Sequence, residues 1–266
     1  MIVFEEVGFG YRAGEPVVCG LTAGLKPGAV TAVIGPNGAG KSTVLKLMLG
    51  LLGPTKGRVI WGDGQEGSGP KTLCQTAEPL RAQRLAYVPQ HGSVAFGFSV
   101  EQVVAMGAMG AAGAMASSAP EALQMALDRL DLEAVRERPF EQLSGGQQQR
   151  VVMARALLQR DTGLAGGGVI LDEPVSAMDL KHAHRAMRTL KSRAENGEMV
   201  VVVLHDLTLA ARYADQVWLL EAGRLLAAGP VADVMQPERL SPVYGVPLEV
   251  MIDAQGRRIF GVGGDL

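Results

Sequence analysis

The chain has 266 residues, 47% of them hydrophobic, with a formal net charge of −2; that suffices for one large domain, or one with a subdomain and a tail, without covalent staples. Its near-neutral, scattered charge argues against nucleic acid as a ligand, and its two cysteines, Cys19 and Cys74, offer no disulfide framework and fit a reducing, cytosolic compartment. No apolar run reaches the roughly 20 residues of a spanning helix, so membrane contact would go through another polypeptide.

The N-terminus carries Glu5 and Glu6 where a secretion signal would carry basic residues. Val30 to Gly35 (VTAVIG) is a short β-branched run ending in glycine, and Lys41 to Leu52 follows with apolar residues at helical spacing. The order is strand, tight loop, helix. Trp61 to Pro70 is Gly-rich and reads as a surface loop, as does Asp161 to Gly168. Residues 97 to 150 differ in character, with an Ala, Met and Gly-rich stretch and then an amphipathic helix over Pro120 to Leu130; they predict an inserted helical subdomain. Val169 to Leu171 and Met199 to Leu204 are too apolar for half-exposed strands, so they predict a mostly parallel sheet covered on both faces, an α/β fold. From Val231 the tail predicts a short helix, an extended piece and a hairpin across Asp253 to Gly256.

Gly35-Pro36-Asn37-Gly38-Ala39-Gly40-Lys41-Ser42-Thr43 fits G-x-x-x-x-G-K-[ST] between a strand and a helix. Its glycines let backbone N–H groups face phosphate oxygens, and the helix start adds a positive dipole end. Lys41 supplies a charge for the terminal phosphates of ATP, and the Ser42 hydroxyl a ligand for Mg²⁺. Asp172 and Glu173 end the second strand, the place where a parallel sheet presents carboxylates to a nucleotide. Asp172 suits the Mg²⁺ through water, and Glu173 suits a general base that orients the attacking water. Ser144-Gly145-Gly146-Gln147, after Leu143, opens a helical run and forms a second anion-binding helix start.

With that LSGGQ stretch the chain resembles the nucleotide-binding subunits of ABC ATPases over roughly residues 1 to 240, with 241 to 266 as a tail. The resemblance implies a P-loop NTPase fold with an N-terminal antiparallel β subdomain and an inserted helical one. It implies further roles: Tyr11 stacking on adenine, Gln90 touching Mg²⁺ and water, His205 contacting the terminal phosphate, and Asp179 reaching the partner's site from the Ser176-Ala177-Met178-Asp179 loop. Val175 stands where the family commonly has threonine. The family acts as a head-to-tail homodimer in which Ser144 of one copy closes over the ATP held by the other.

Segments Asp179 to Ala183, Leu204 to Leu207, Ala211 to Asp215 and Val243 to Gly245 are similar to ATPases of importers for iron chelates, haem and cobalamin. They imply a peripheral subunit on the cytoplasmic face of a bacterial inner membrane. Its partners would be integral-membrane permease subunits and, indirectly, a substrate-binding protein, with haem the first choice of cargo. A soluble ABC ATPase without a permease is the other reading. The apolar stretch from Gly97 to Gly113 offers a surface groove for the permease.

Overall fold

The computed structural model describes residues 1–62, 71–72, 78–90, 92, 97–110 and 118–264. In chain order its elements are β1 (Ile2–Phe9), β2 (Val18–Leu25), β3 (Val30–Ile34), α1 (Lys41–Met48), β4 (Lys56–Trp61), β5 (Lys71–Thr72), α2 (Glu78–Arg84) and β6 (Leu85–Val88). There follow α3 (Val100–Ala105), α4 (Ala119–Arg129), α5 (Gly145–Asp161), β7 (Gly168–Asp172), α6 (Leu180–Glu195), β8 (Met199–Val203) and α7 (Leu207–Tyr213). The chain ends with β9 (Gln216–Glu221), β10 (Arg224–Pro230), α8 (Val231–Val234), α9 (Pro237–Tyr244), β11 (Leu248–Ile252) and β12 (Arg258–Val262). It divides into two compact units, residues 1–75 with 201–266, and residues 76–200. Strand β8 carries the backbone from the second unit into the first.

In the first unit β1 lies between β2 and β4, antiparallel to both, and β4 pairs with β5. Every residue of β3 is buried, including Thr31, as befits a β-branched, largely apolar strand covered on both faces. It pairs in parallel with β9 from Thr31 opposite Gln216 to Ile34 opposite Leu219, and β10 adds antiparallel. Asp215 sets this register by accepting Val30 N–H at 2.9 Å on its carboxylate and donating its own N–H to Val30 O at 2.8 Å. Phe4 meets Trp218 edge to face at 5.7 Å between ring centroids, which ties the two groups of strands into one core. Hairpin β11–β12 is anchored on α7, where Phe260 N–H donates to Thr208 Oγ1 at 3.0 Å.

In the second unit β6 and β7 pair in parallel, with all five residues of β7 buried. Helix α5 is the spine: Val151, Met153, Ala154, Leu157 and Leu158 are at most 0% exposed, and α3 and α4 pack against it. Buried Arg150 is satisfied by the carbonyls at the end of α4's loop, donating to Leu130 O at 2.7 Å and Asp131 O at 2.5 Å. Arg160 pairs with Glu198 at 2.8 Å and donates to Gln83 O and Leu164 O.

Three expectations shift. Helix α1 stops at Met48 rather than Leu52, because Leu49 caps it and Gly50 turns left-handed at φ 65, leaving Leu51 59% exposed. The apolar stretch from Gly97 does not form an outward groove with its valines: Val100, Val103 and Val104 are all 0% exposed and face α5. Outward apolar surface there comes from Phe98 and Met109, while 111–113 lie outside the described residues, as do the Gly-rich positions 63–70. The tail has two helices, α8 and α9, before its hairpin.

Candidate functional site

The first unit holds the phosphate loop. Gly35 leaves β3 at φ 146, and a Cβ built on it would lie 2.1 Å from Leu220 O, so no side chain fits where the strand turns into the loop. Gly40 N-caps α1 without any side-chain cap. Residues Lys41, Ser42 and Thr43 make up the first turn of α1, the end of a helix that carries the positive end of its dipole and suits an anion. Lys41 is 6% exposed, and its ammonium donates to Gly35 O at 2.7 Å and Pro36 O at 2.9 Å. The predicted loop residues Gly35, Pro36, Asn37, Gly38, Ala39, Gly40, Lys41, Ser42 and Thr43 thus form one continuous turn around the start of α1.

Tyr11 lies just past β1 and is 58% exposed. Its ring stands edge-on to Phe9 at 5.0 Å, and its hydroxyl is 3.3 Å from Thr43 Oγ1, so the aromatic is tied directly to the phosphate loop. Beside it opens a cavity of about 860 Å³ lined by Phe9, Tyr11, Arg12, Val18 and Lys56. In the same unit Leu204 N–H donates to Val33 O at 3.3 Å, just before β3 runs into Gly35, and the exposed His205 follows two residues beyond the end of β8.

One residue of this unit was not read from the sequence as part of the site. Tyr244, the last residue of α9, sets its hydroxyl beside the Gly35 backbone; burial pushes the phenol up to about 12, and the Gly35 backbone pulls the other way. No local pattern marks such a contact between residues 209 positions apart, 244 − 35.

The second unit gathers the carboxylates and the Ser144 turn. Asp172, at the end of β7, is 3% exposed. The Tyr87 phenol of the neighbouring strand is pushed up to about 12, by burial first and by the Asp172 charge second. Glu173 leaves the strand at φ 50, a left-handed backbone that non-glycine residues rarely adopt. Gln90 fixes its carboxylate, donating from Nε2 to Oε2 at 2.9 Å. Predicted residues Gln90, Asp172 and Glu173 therefore meet at the carboxyl ends of β6 and β7.

Ser144 N-caps α5 in a capping box: its hydroxyl accepts Gln147 N–H at 3.4 Å, and the Gln147 side chain accepts Ser144 N–H at 2.9 Å. The Gln147 amide is thereby engaged in shaping the turn. Gly145 and Gly146 complete it, and a Cβ on Gly146 would meet Ala177 O at 2.5 Å, so the turn rests on the 176–178 loop. Asp179 N-caps α6, accepting His182 N–H at 2.9 Å, and its carboxylate also holds the His182 ring at 2.7 Å. Those contacts, the backbone N–H first, hold Asp179 below the usual carboxylate range. The His182 ring reaches Asp131 at 3.1 Å on its other side.

Ser42, Gln90 and Asp172 offer a hydroxyl, an amide oxygen and a carboxylate, all hard oxygen donors suited to Mg²⁺. Among the described residues no group of three or more His, Cys, Asp or Glu side chains could hold a metal by itself. No helix among the described residues is long and apolar enough to cross a membrane.

The family described as "ABC transporter" matches residues 18–176. The hemin import ATP-binding protein HmuV of Pseudomonas fluorescens (strain Pf-5) is 40% identical over 247 residues, 93% of each chain. A metal-chelate-type ABC transporter solved in an inward-facing conformation superposes with a TM-score of 0.76 at 26% identity, over 99% of this chain and 97% of that one. A dimeric ATP-binding cassette in a post-hydrolysis state with ADP and phosphate superposes with a TM-score of 0.75 at 26% identity, over 87% of this chain and 99% of that one.

Proposed function

The chain belongs to the ABC transporter family, and from that premise we propose that it is the ATP-hydrolysing subunit of an importer whose cargo is haem. The observation that carries the reading is the presence in one chain of two different anion-receiving helix starts, at Lys41 and at Ser144, together with the Gln90-held Glu173 carboxylate. A single nucleotide needs only one such start, so a chain with both is built to pair with a second copy.

In this reading Tyr11 stacks on adenine, the 35–43 loop and Lys41 take the phosphates, and His205 meets the terminal phosphate. Glu173 accepts a proton from the water that attacks the terminal phosphorus in line with the departing oxygen. Mg²⁺, held by Ser42, Asp172 and Gln90, would offset charge on the phosphoryl oxygens. Ser144, Gly145, Gly146, Gln147 and Asp179 serve the nucleotide of the second copy. Residues 1–240 form the ATPase domain and 241–266 a tail. The subunit works at the cytoplasmic face of the inner membrane, against a permease served by a substrate-binding protein. The cargo assignment is supported by the name of the 40%-identical relative.

The test is reconstitution with the candidate permease in liposomes, with a haem-binding protein on the far side. Haem should accumulate only with ATP and Mg²⁺, and loaded binding protein should raise ATP turnover. Uptake of cobalamin or a non-haem chelate in place of haem would overturn the cargo, and turnover indifferent to every permease would overturn the importer.

A further inference from the structure

Gln149, in the second turn of α5, has no role in the assignments above, yet its side chain is fully committed to the loop that follows Glu173. Its amide oxygen accepts Ala177 N–H at 3.0 Å, and its amide nitrogen donates to Ser176 Oγ at 2.9 Å and reaches Glu173 O at 3.5 Å. Ser176 Oγ in turn donates to Glu173 O at 3.1 Å. A relay therefore runs from Gln149 through Ser176 to the Glu173 peptide. That peptide is the one with φ 50, a conformation that persists only where the surroundings hold it. Gln90 grips the same residue at its carboxylate, so Glu173 is fixed at both ends. The contact of Gly146 with Ala177 O adds a second, backbone-level joint between α5 and the loop.

We propose that Gln149 is a positioning residue for ATP hydrolysis: it holds the Glu173 backbone through Ser176 and thereby ties the base to the helix start that carries Ser144. The proposal rests on Glu173 being the base. Because Ser144 serves the nucleotide of the other copy, the tie lets occupancy of one site set the posture of the base in the next.

The experiment measures steady-state ATP turnover, fluorescent-ATP affinity and thermal melting for Gln149→Leu, Gln149→Glu, Ser176→Ala and the Gln149→Leu/Ser176→Ala pair. Gln149→Leu should lower kcat by about 10-fold or more, since small misplacement of a catalytic group costs up to ~10²-fold, with KM and ATP affinity within about twofold. Gln149→Glu keeps the acceptor for Ala177 and loses the donor to Ser176, and should share the kcat loss; it decides the matter if the leucine variant does not fold. The double variant should be no slower than Gln149→Leu, because both changes cut one relay. Unchanged kcat, a loss confined to KM, or additive losses in the double variant would overturn the proposal. If instead the wild type hydrolyses ATP but Glu173→Gln does so at full rate, the base assignment falls and not the relay alone.

Discussion

Glu173→Gln binds ATP with near-normal affinity and turns it over ~10²- to 10⁴-fold more slowly, the range a general base contributes. Glutamine keeps the length of the side chain and an oxygen that can still accept from Gln90 Nε2, now 2.9 Å from the carboxylate. Only the negative charge and the proton affinity are lost. With the chemical step blocked and the triphosphate intact, two copies should stay closed around their nucleotides. Size-exclusion chromatography with ATP should then show a dimer that the wild type forms only transiently. Wild-type turnover in this variant is incompatible with Glu173 as the base.

Lys41→Ala weakens ATP binding by roughly 10²-fold, from loss of charge-assisted hydrogen bonds worth about 1.5–3 kcal/mol to the phosphates. A second effect adds to it. The Lys41 ammonium also donates to Gly35 O and Pro36 O, so alanine leaves those two carbonyls without that donor and loosens the turn that shapes the anion site. Titration calorimetry with ATP and with AMP separates the two effects, since AMP lacks the terminal phosphates. A large loss for ATP with little for AMP is the expected pattern. Equal affinity for ATP in variant and wild type would contradict the phosphate-loop reading.

Much of the fold could be read in advance because burial writes itself into short runs. MVVVV is apolar at every position and VTAVI at every position but Thr31, and every residue in both strands is buried. The Ser144 turn was legible for a similar reason, since an N-cap and its partner three residues on are neighbours in the chain. What escaped depends on pairs far apart in sequence. Gln149 and Ser176 are 27 positions apart, and nothing in QQQR distinguishes a glutamine that spans two loops from one that faces water. Tyr244 meets Gly35 only because α9 folds back within its unit. The inward turn of Val100, Val103 and Val104 also escaped, because an apolar stripe has the same spacing whether it faces a core or a partner.

The left-handed backbone of Glu173 also bears on how heat resistance and turnover trade against each other in this protein. Glutamate gives up on the order of 1 kcal/mol there relative to glycine, or to asparagine, whose short polar side chain tolerates that region. Asparagine or glycine at this position would relax the chain while removing the proton acceptor. A library screened only for survival at high temperature should therefore collect inactive clones at position 173, with melting points above the parent.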